Sequence, residues 1–182
     1  AADRRRVPAE MEIEGRSFSE ALAELAARVG VDIPPEELGG RTERRDDARR
    51  DRQLKVLEAA ARLYERMLGQ HPDAAHARDY LDARSIGAEA IEKYRLGFAP
   101  DRWDFLVEHM RSNRVSPEDG VEVGLIRPRK QFSGYYDWFR NRIMFPILSP
   151  GGKVIGFSGR ALESAEGGEQ AKYLNTPETP YY

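Results

Sequence analysis

The sequence predicts an α+β fold, with helices in roughly the first two thirds of the chain and a small, mostly antiparallel sheet in the remainder. Three observations support this prediction. Apolar residues recur at helical spacing up to Gly124, and short segments with period-two alternation follow it. Turns rich in Gly and Pro separate these later segments. The 182 residues suffice to bury a core without disulfides.

The first predicted helix covers residues 17–30. Ser17 and Glu20 have the spacing of a capping box, and Gly30 suits the position after a helix end. The prolines and glycines of residues 31–40 stop any regular element.

A long helix is predicted over residues 54–69, on an apolar stripe that recurs at helical spacing. The preceding segment, 41–53, has six Arg, four acidic residues and no large apolar side chain. It is either a solvated linker or the exposed start of this helix. Its alternating charges favour these alternatives over a nucleic-acid-binding arm.

Shorter helices follow. Pro72 suits the first turn of one, and Ala74, Ala77 and Leu81 form its inner face. Further helices are predicted at 88–94, 103–110 and 116–124. Strands are predicted at 125–127, 134–136, 143–148, 153–162 and 172–174. Pro146 indicates that the third of these is an edge strand or contains a bulge.

Several classes of protein are excluded by what the sequence lacks. It has no Cys, so disulfide frameworks and Cys-built zinc sites are excluded. No run approaches the ~18 apolar residues of a membrane span. The patterns HExxH, GxSxG and GxGxxG and the P-loop are missing. The three His are scattered, and we expect them to be surface or capping residues.

Charge is distributed unevenly, although the net charge is only −2. Residues 127–160 contain seven Lys or Arg and a single acid, Asp137, which we expect to pair with a neighbouring Arg rather than to bind a metal. Aromatic residues are interleaved with these cations. Cations that neutralise phosphates and rings that stack on bases indicate nucleic-acid binding. A basic-rimmed sheet with an aromatic core is the alternative.

The segment 153–160 sharpens this choice. In an alternating strand Ile155 and Phe157 face the core, while Gly156, Ser158 and Arg160 form the other face. That face is small and cationic, so it leaves room for a phosphate backbone beside Arg160. The alternative is that its glycines only relieve strand twist.

Four co-linear segments resemble one family: 80–110, 135–147 (YYDWFRNRIMFPI), 152–162 (GKVIGFSGRAL) and 172–180 (KYLNTPETP). They are similar to bacterial DNA primases of the DnaG type, in the N-terminal subdomain of the RNA-polymerase core. Residues 14–34 resemble the end of the family's zinc-binding domain. The resemblance implies three parts: a remnant of the zinc-binding domain at 1–40, a charged linker or helix start at 41–53, and the core subdomain at 54–182, truncated at its end.

The family's activity implies a nucleotidyltransferase that makes short RNA primers on single-stranded DNA for replication. In relatives a zinc ribbon binds Zn²⁺ and a Toprim subdomain binds Mg²⁺. Neither the ribbon's cysteines nor the acidic Toprim motifs occur here, so we expect no metal in this chain and no catalysis by it alone. The implied partners are template DNA, RNA primer, nucleoside triphosphates and, through a further domain, the replicative helicase. A monomer in the cytoplasm, without membrane attachment, is expected.

Six residues match positions that the family uses for nucleic acid or nucleotide. They are Arg84, Arg140, Arg142, Arg160, Lys172 and Asn175. Trp138 stands where many relatives have Arg, so one phosphate contact of the family is either lost or replaced by stacking. Two alternatives stay open: a stand-alone nucleic-acid-binding module, and part of a primase-helicase.

Overall fold

The structure is a computed structural model that describes residues 26–28, 30–31, 41–131, 133–162 and 171–177. Most of the helix predicted at 17–30, including its capping box, lies outside the described residues. The rest of the prediction, helices followed by short antiparallel strands, is confirmed.

Residues 26–28 are helical, and five further α-helices follow from Arg41 onward. Helix α1 spans Arg41–Gln70, and a 3₁₀ turn at Pro72–Ala74 leads into α2 (Ala75–Asp82). Helix α3 is Ala88–Lys93, α4 is Phe105–Ser112 and α5 is Pro117–Glu122. Residues 41–53 are therefore the start of the long helix, one of the two alternatives that the sequence left open. No helix among these residues is both long and apolar enough to cross a bilayer.

The strands form two antiparallel sheets. The larger sheet has the order β1-β4-β5-β6, with β1 at Gly97–Ala99, β4 at Arg142–Leu148, β5 at Val154–Ala161 and β6 at Tyr173–Asn175. Strands β2 (Ile126–Pro128) and β3 (Tyr135–Asp137) form a separate pair.

Helix α1 packs across one face of the larger sheet. Leu57, Tyr64, Met144 and Phe157 are almost fully buried in the core between them. The contact is close because β1 offers no side chain at Gly97, where an added Cβ would lie 2.5 Å from the Cβ of Tyr64. The sequence missed β1, since three buried residues give no alternation to detect.

A second core forms on the opposite face of the sheet, where α2 packs. Ala77 and Leu81 of α2 are fully buried, as predicted, together with Phe98 of β1 and Ile143 of β4. This packing leaves α2 beside the end of β5, and this position matters for the site described below.

Pro146 lies in β4, which is a central strand and not the predicted edge. Strand β1 pairs only with Arg142–Met144, so Pro146 has a ladder partner on one side alone, at Phe157. The missing N–H of proline is therefore tolerated. The predicted bulge is present one residue later, between Ile147 and Leu148.

That bulge changes which residues of β5 face the core. Val154 and Phe157 are fully buried, whereas Ile155, predicted to be core, is only half-buried. The predicted space at Gly156 is also filled, because the Oγ1 of Thr176 would lie 2.7 Å from a Cβ placed there. The expected open groove is therefore closed at Gly156, and Arg160 further along the strand remains accessible.

Candidate nucleic-acid interface

Strand β6 lies at one edge of the larger sheet, and cations and aromatic rings gather on both of its sides. We call the first group the tyrosine cluster. It consists of Tyr80, Arg84, Arg160, Lys172 and Tyr173. The second group, which we call the tryptophan pocket, is lined by Trp103, Tyr136, Trp138, Arg140, Arg142, Ala171 and Leu174. Successive side chains of a strand point to opposite faces, so Tyr173 joins the cluster and Leu174 joins the pocket.

Arg160 is the centre of the tyrosine cluster. Its Nε donates to the hydroxyl of Tyr80, and its Nη1 donates to the hydroxyl of Tyr173 over 3.1 Å. Arg84 stacks on the ring of the same Tyr80, with its Cζ 3.5 Å from the ring centroid. Two guanidinium groups thus share one aromatic ring, which holds them together despite their like charge.

The sequence explains how these residues meet. Tyr80 precedes the buried Leu81, so α2 presents the tyrosine at the rim of the second core. Arg160 is paired with Tyr173 in the β5–β6 ladder. Because α2 packs against the same face of the sheet, the tyrosine of the helix reaches the arginine of the strand.

Strand β6 adds two further predicted residues. Lys172 precedes the strand, is exposed, and has its Nζ 6.0 Å from the ring centroid of Tyr173. Asn175 ends the strand opposite Ser158 and is also exposed. Both polar ends are therefore available to a ligand that runs along this edge.

The tryptophan pocket is an open cavity of about 330 Å³. Trp103 is 57% exposed, and its ring packs against that of Tyr136 with the centroids 5.7 Å apart. The guanidinium of Arg140 lies over Trp103, with its Cζ 3.7 Å from the ring centroid, and Arg127 stacks on Trp138 at 4.2 Å. Flat, partly exposed rings between cations are the surfaces on which nucleic-acid bases stack.

Arg142 differs from the other predicted residues. It is 5% exposed, and its Nη1 donates to the carbonyls of Gly159 and Ala171 over 3.1 and 2.9 Å. Burial lowers the pKa of this guanidinium and that of Arg140, although both remain cationic. Arg142 therefore ties the segment before β6 to β5 and lines the inner wall of the pocket.

Asp137 does not form the predicted carboxylate–Arg pair. Its Oδ2 accepts from the backbone N–H of Leu106 over 2.7 Å, and its Oδ1 accepts from that of Val107 over 3.0 Å. The carboxylate thus caps the start of α4, and Arg140 donates to the Asp137 carbonyl instead. Burial raises the pKa of Asp137 to about 6, against the lowering effect of these two backbone hydrogen bonds.

No group of three or more His, Asp or Glu side chains in the described part of the chain is placed to hold a metal ion. Several acidic residues there pair with arginine instead, as Glu58 does with Arg95 at 2.9 Å. His71 accepts from the N–H of Asp73, so its predicted capping role is confirmed. Within the ranges that the structure describes, the donor sets do not fit the Zn²⁺ or Mg²⁺ sites of the family.

Three aromatic contributors were missed by the sequence analysis: Tyr80, Trp103 and Tyr173. Each lies in one of the four segments that resemble the family, but outside the basic block 127–160. Tyr173 adjoins the predicted Lys172 in the segment KYLN, and this neighbour was the one sequence signal that pointed to it. Tyr80 and Trp103 enter through tertiary packing, which a local count of charges and rings does not detect.

Comparison with protein families matches residues 63–182 to the model described as DNA primase catalytic core, N-terminal domain. Among curated proteins, the DNA primase of Pseudomonas aeruginosa is 37% identical over 172 residues, which cover 94% of this chain and 25% of that protein. The DNA primase of Synechococcus elongatus is 41% identical over 175 residues, 94% of this chain and 24% of the relative. The chain thus spans about a quarter of the length of these relatives.

Solved structures give the same similarity. The RNA polymerase domain of Mycobacterium tuberculosis primase DnaG, in complex with a double-stranded DNA oligomer with a 6-nucleotide overhang, matches with a TM-score of 0.66 and 40% identity. The match covers 72% of this chain and 40% of that one. A DnaG primase catalytic domain bound to ssDNA matches with a TM-score of 0.66 and 34% identity, over 74% of this chain and 42% of the other.

Proposed function

Because the chain belongs to the family of the DNA primase catalytic core, N-terminal domain, we propose that it is the template- and nucleotide-binding part of a DNA primase. The whole protein is then a DNA-directed RNA polymerase that makes short RNA primers on single-stranded DNA. The observation that supports this role most is the tyrosine cluster beside β6, where Arg84, Arg160 and Lys172 are held by two aromatic rings.

The tyrosine cluster binds phosphate in this proposal. Arg160 keeps its Nε and Nη1 on the tyrosines, which fixes the plane of the guanidinium before a ligand arrives. A preorganised arginine loses less side-chain entropy on binding a phosphate than a free one. Arg84 and Lys172 supply further positive charge, and the exposed amide of Asn175 hydrogen-bonds a base or the backbone of the template.

The tryptophan pocket binds bases. Trp103 and Tyr136 offer stacking faces, and Arg140 neutralises a neighbouring phosphate while it stacks on Trp103. Trp138 contributes a ring where many primases place Arg, so this chain uses more stacking and one cation fewer. Arg142 positions the pocket wall through its two carbonyl contacts.

The assignment of domains follows from the same proposal. Residues 54–182 correspond to the N-terminal subdomain of the polymerase core, and 1–40 to the end of a zinc-binding domain. Segment 41–53 is the first half of α1. Mg²⁺, held by carboxylates of another subdomain, would activate the attacking hydroxyl and neutralise the triphosphate. This chain alone is therefore expected to bind template without making primers.

The partners of the whole protein are single-stranded template, RNA primer, nucleoside triphosphates and, through another domain, the replicative helicase. We propose a monomer that works in the cytoplasm, where bacterial chromosomes are copied.

Primer synthesis by the whole protein tests the proposal. Template-directed incorporation of ribonucleotides on single-stranded DNA is expected, with loss of primer synthesis when Arg160 and Lys172 are both replaced by alanine. Arg62→Ala is the matched control, since it removes one exposed cation from α1, on the other side of the sheet. Full activity of the double variant would refute the assignment of the cluster, and absence of any priming by the wild type would refute the function.

A further inference from the structure

We propose that Asp137 is a positioning residue that holds the tryptophan pocket in the shape that receives a base. The inference rests on the proposed function, because it assumes that the pocket binds template. In this proposal Asp137 itself touches no ligand and affects DNA binding through the positions of Trp103 and Arg140.

Four polar atoms of Asp137 form hydrogen bonds with residues in and beside the pocket. Its N–H donates to the carbonyl of Trp103 over 2.8 Å, and its own carbonyl accepts from the Nη1 of Arg140. Its two carboxylate oxygens hold the N–H groups of Leu106 and Val107. One residue therefore fixes the backbone of Trp103, the start of the helix that follows it, and the guanidinium that stacks on Trp103.

The neighbours of Asp137 in the chain are themselves pocket residues. Tyr136 precedes it and Trp138 follows it, and both side chains line the cavity. Asp137 points the other way, into the core, where it is 2% exposed. Displacement of this anchor would thus move Tyr136, Trp138, Trp103 and Arg140 together.

The chemistry requires a carboxylate. The two carboxylate oxygens accept from the two N–H groups at the start of α4. An asparagine amide has only one acceptor oxygen, and its NH₂ group, itself a donor, cannot accept from the second N–H. Protonation of the carboxyl weakens the cap in a similar way. The titratable or charged groups around it are Tyr64 on α1, Asp104 before α4, and Arg140.

The protein supplies its own probe. The sequence contains two Trp, Trp103 and Trp138, and both line the pocket, so tryptophan emission and its quenching by acrylamide report on this site alone. The experiment compares the wild-type chain, Asp137→Asn and the control Glu58→Gln. Glu58 pairs with Arg95 between α1 and the end of α3, away from the pocket. Binding of a fluorescein-labelled single-stranded oligonucleotide is measured on the same samples.

At neutral pH Asp137→Asn is expected to shift the tryptophan emission, to increase quenching and to weaken oligonucleotide binding about tenfold, the loss of one good stacking contact. Glu58→Gln is expected to leave the tryptophan emission, the quenching and the oligonucleotide affinity unchanged. Wild-type emission should titrate with a midpoint near the Asp137 pKa of about 6, and this transition should be missing in Asp137→Asn. Burial and the nearby Arg66 lower the pKa of His109 in α4, and any transition from this residue would persist in the variant.

Unchanged emission and affinity in Asp137→Asn would overturn the inference. If that variant fails to fold, the wild-type titration decides, and a flat emission profile through the same range would overturn it. If the wild type does not bind the oligonucleotide, the proposed function fails, while emission and quenching still decide whether Asp137 positions the two tryptophans.

Discussion

Replacing Arg160 by alanine removes one positive charge from the tyrosine cluster and leaves the fold in place. The side chain is half-buried, and within the described part of the chain it contacts Tyr80 and Tyr173 through hydrogen bonds and ring stacking. These surface contacts contribute at most about 3–4 kcal/mol to the free energy of unfolding, since each of the two hydrogen bonds is worth ~1 kcal/mol and each of the two exposed cation–π contacts ~0.5–1 kcal/mol. The variant therefore remains folded.

The loss of DNA affinity is measured separately from this loss of stability. A charge-assisted hydrogen bond to phosphate is worth ~1.5–3 kcal/mol, so affinity for single-stranded DNA should fall by about ten- to a hundredfold. Each phosphate neutralised on a single strand contributes about 0.7 to the slope of log K against log salt concentration. The slope should therefore become shallower by about 0.7 in Arg160→Ala.

The assay is fluorescence anisotropy with a labelled oligonucleotide at several salt concentrations. Arg62→Ala serves as control, because its 67% exposed side chain pairs with Glu58 within α1. Thermal unfolding monitored by circular dichroism verifies that both variants are folded. An unchanged slope and affinity in a folded Arg160→Ala would show that Arg160 makes no phosphate contact.

Three further predictions concern the pocket and the core. Trp103→Ala should weaken single-stranded DNA binding by ~1–3 kcal/mol without changing the salt slope, because a ring is lost and no charge, as measured in the same titrations. Folding raises the pKa of Asp137 to about 6, from an ordinary value of 3.8. Between these two pH values the folded state binds more protons than the unfolded state, so the contribution of Asp137 to stability falls as the pH rises from about 4 to about 6. Urea unfolding should show the wild type losing about 3 kcal/mol relative to Asp137→Asn between about pH 4 and pH 7. Gly97→Ala should lower the free energy of unfolding by about 2–3 kcal/mol in the same urea experiment, because the added Cβ meets the backbone of Tyr64.

Each of these predictions has an outcome that contradicts it. Equal DNA affinity in Trp103→Ala would exclude stacking on that ring. A constant difference between wild type and Asp137→Asn across the pH range would show that the carboxyl is not perturbed. Wild-type stability in Gly97→Ala would show that β1 and α1 do not touch as described.

Apolar periodicity was sufficient to predict the helices, because buried positions such as Leu57, Ala77 and Leu81 recur on one face. It could not decide between linker and helix for 41–53, in which the side chains of residues 45–52 are mostly exposed. Long-range ion pairs favour the helix there, since Arg49 and Arg52 bind Glu122 and Asp119 of α5. Such pairs are invisible in a single sequence.

The candidate site was predictable only in part. Arg140 and Arg142 look alike in the motif WFRNR, yet Arg140 lies before β4 and stacks on Trp103, while Arg142 lies within β4 and is buried. Strand pairing decides this difference. The role of Asp137 likewise depends on where α4 begins, and the prediction placed that helix start two residues too early.

The measurement that tests the central claim most directly is an NMR titration of the chain with single-stranded DNA. Two indole N–H signals are expected, from Trp103 and Trp138. If β6 and its two flanking groups form the nucleic-acid interface, both indole signals and the amide signals of Tyr173–Asn175 will shift on addition of DNA, while that of Arg62 on the solvent face of α1 will not. Shifts confined to α1, or none in the pocket and β6, would contradict the account.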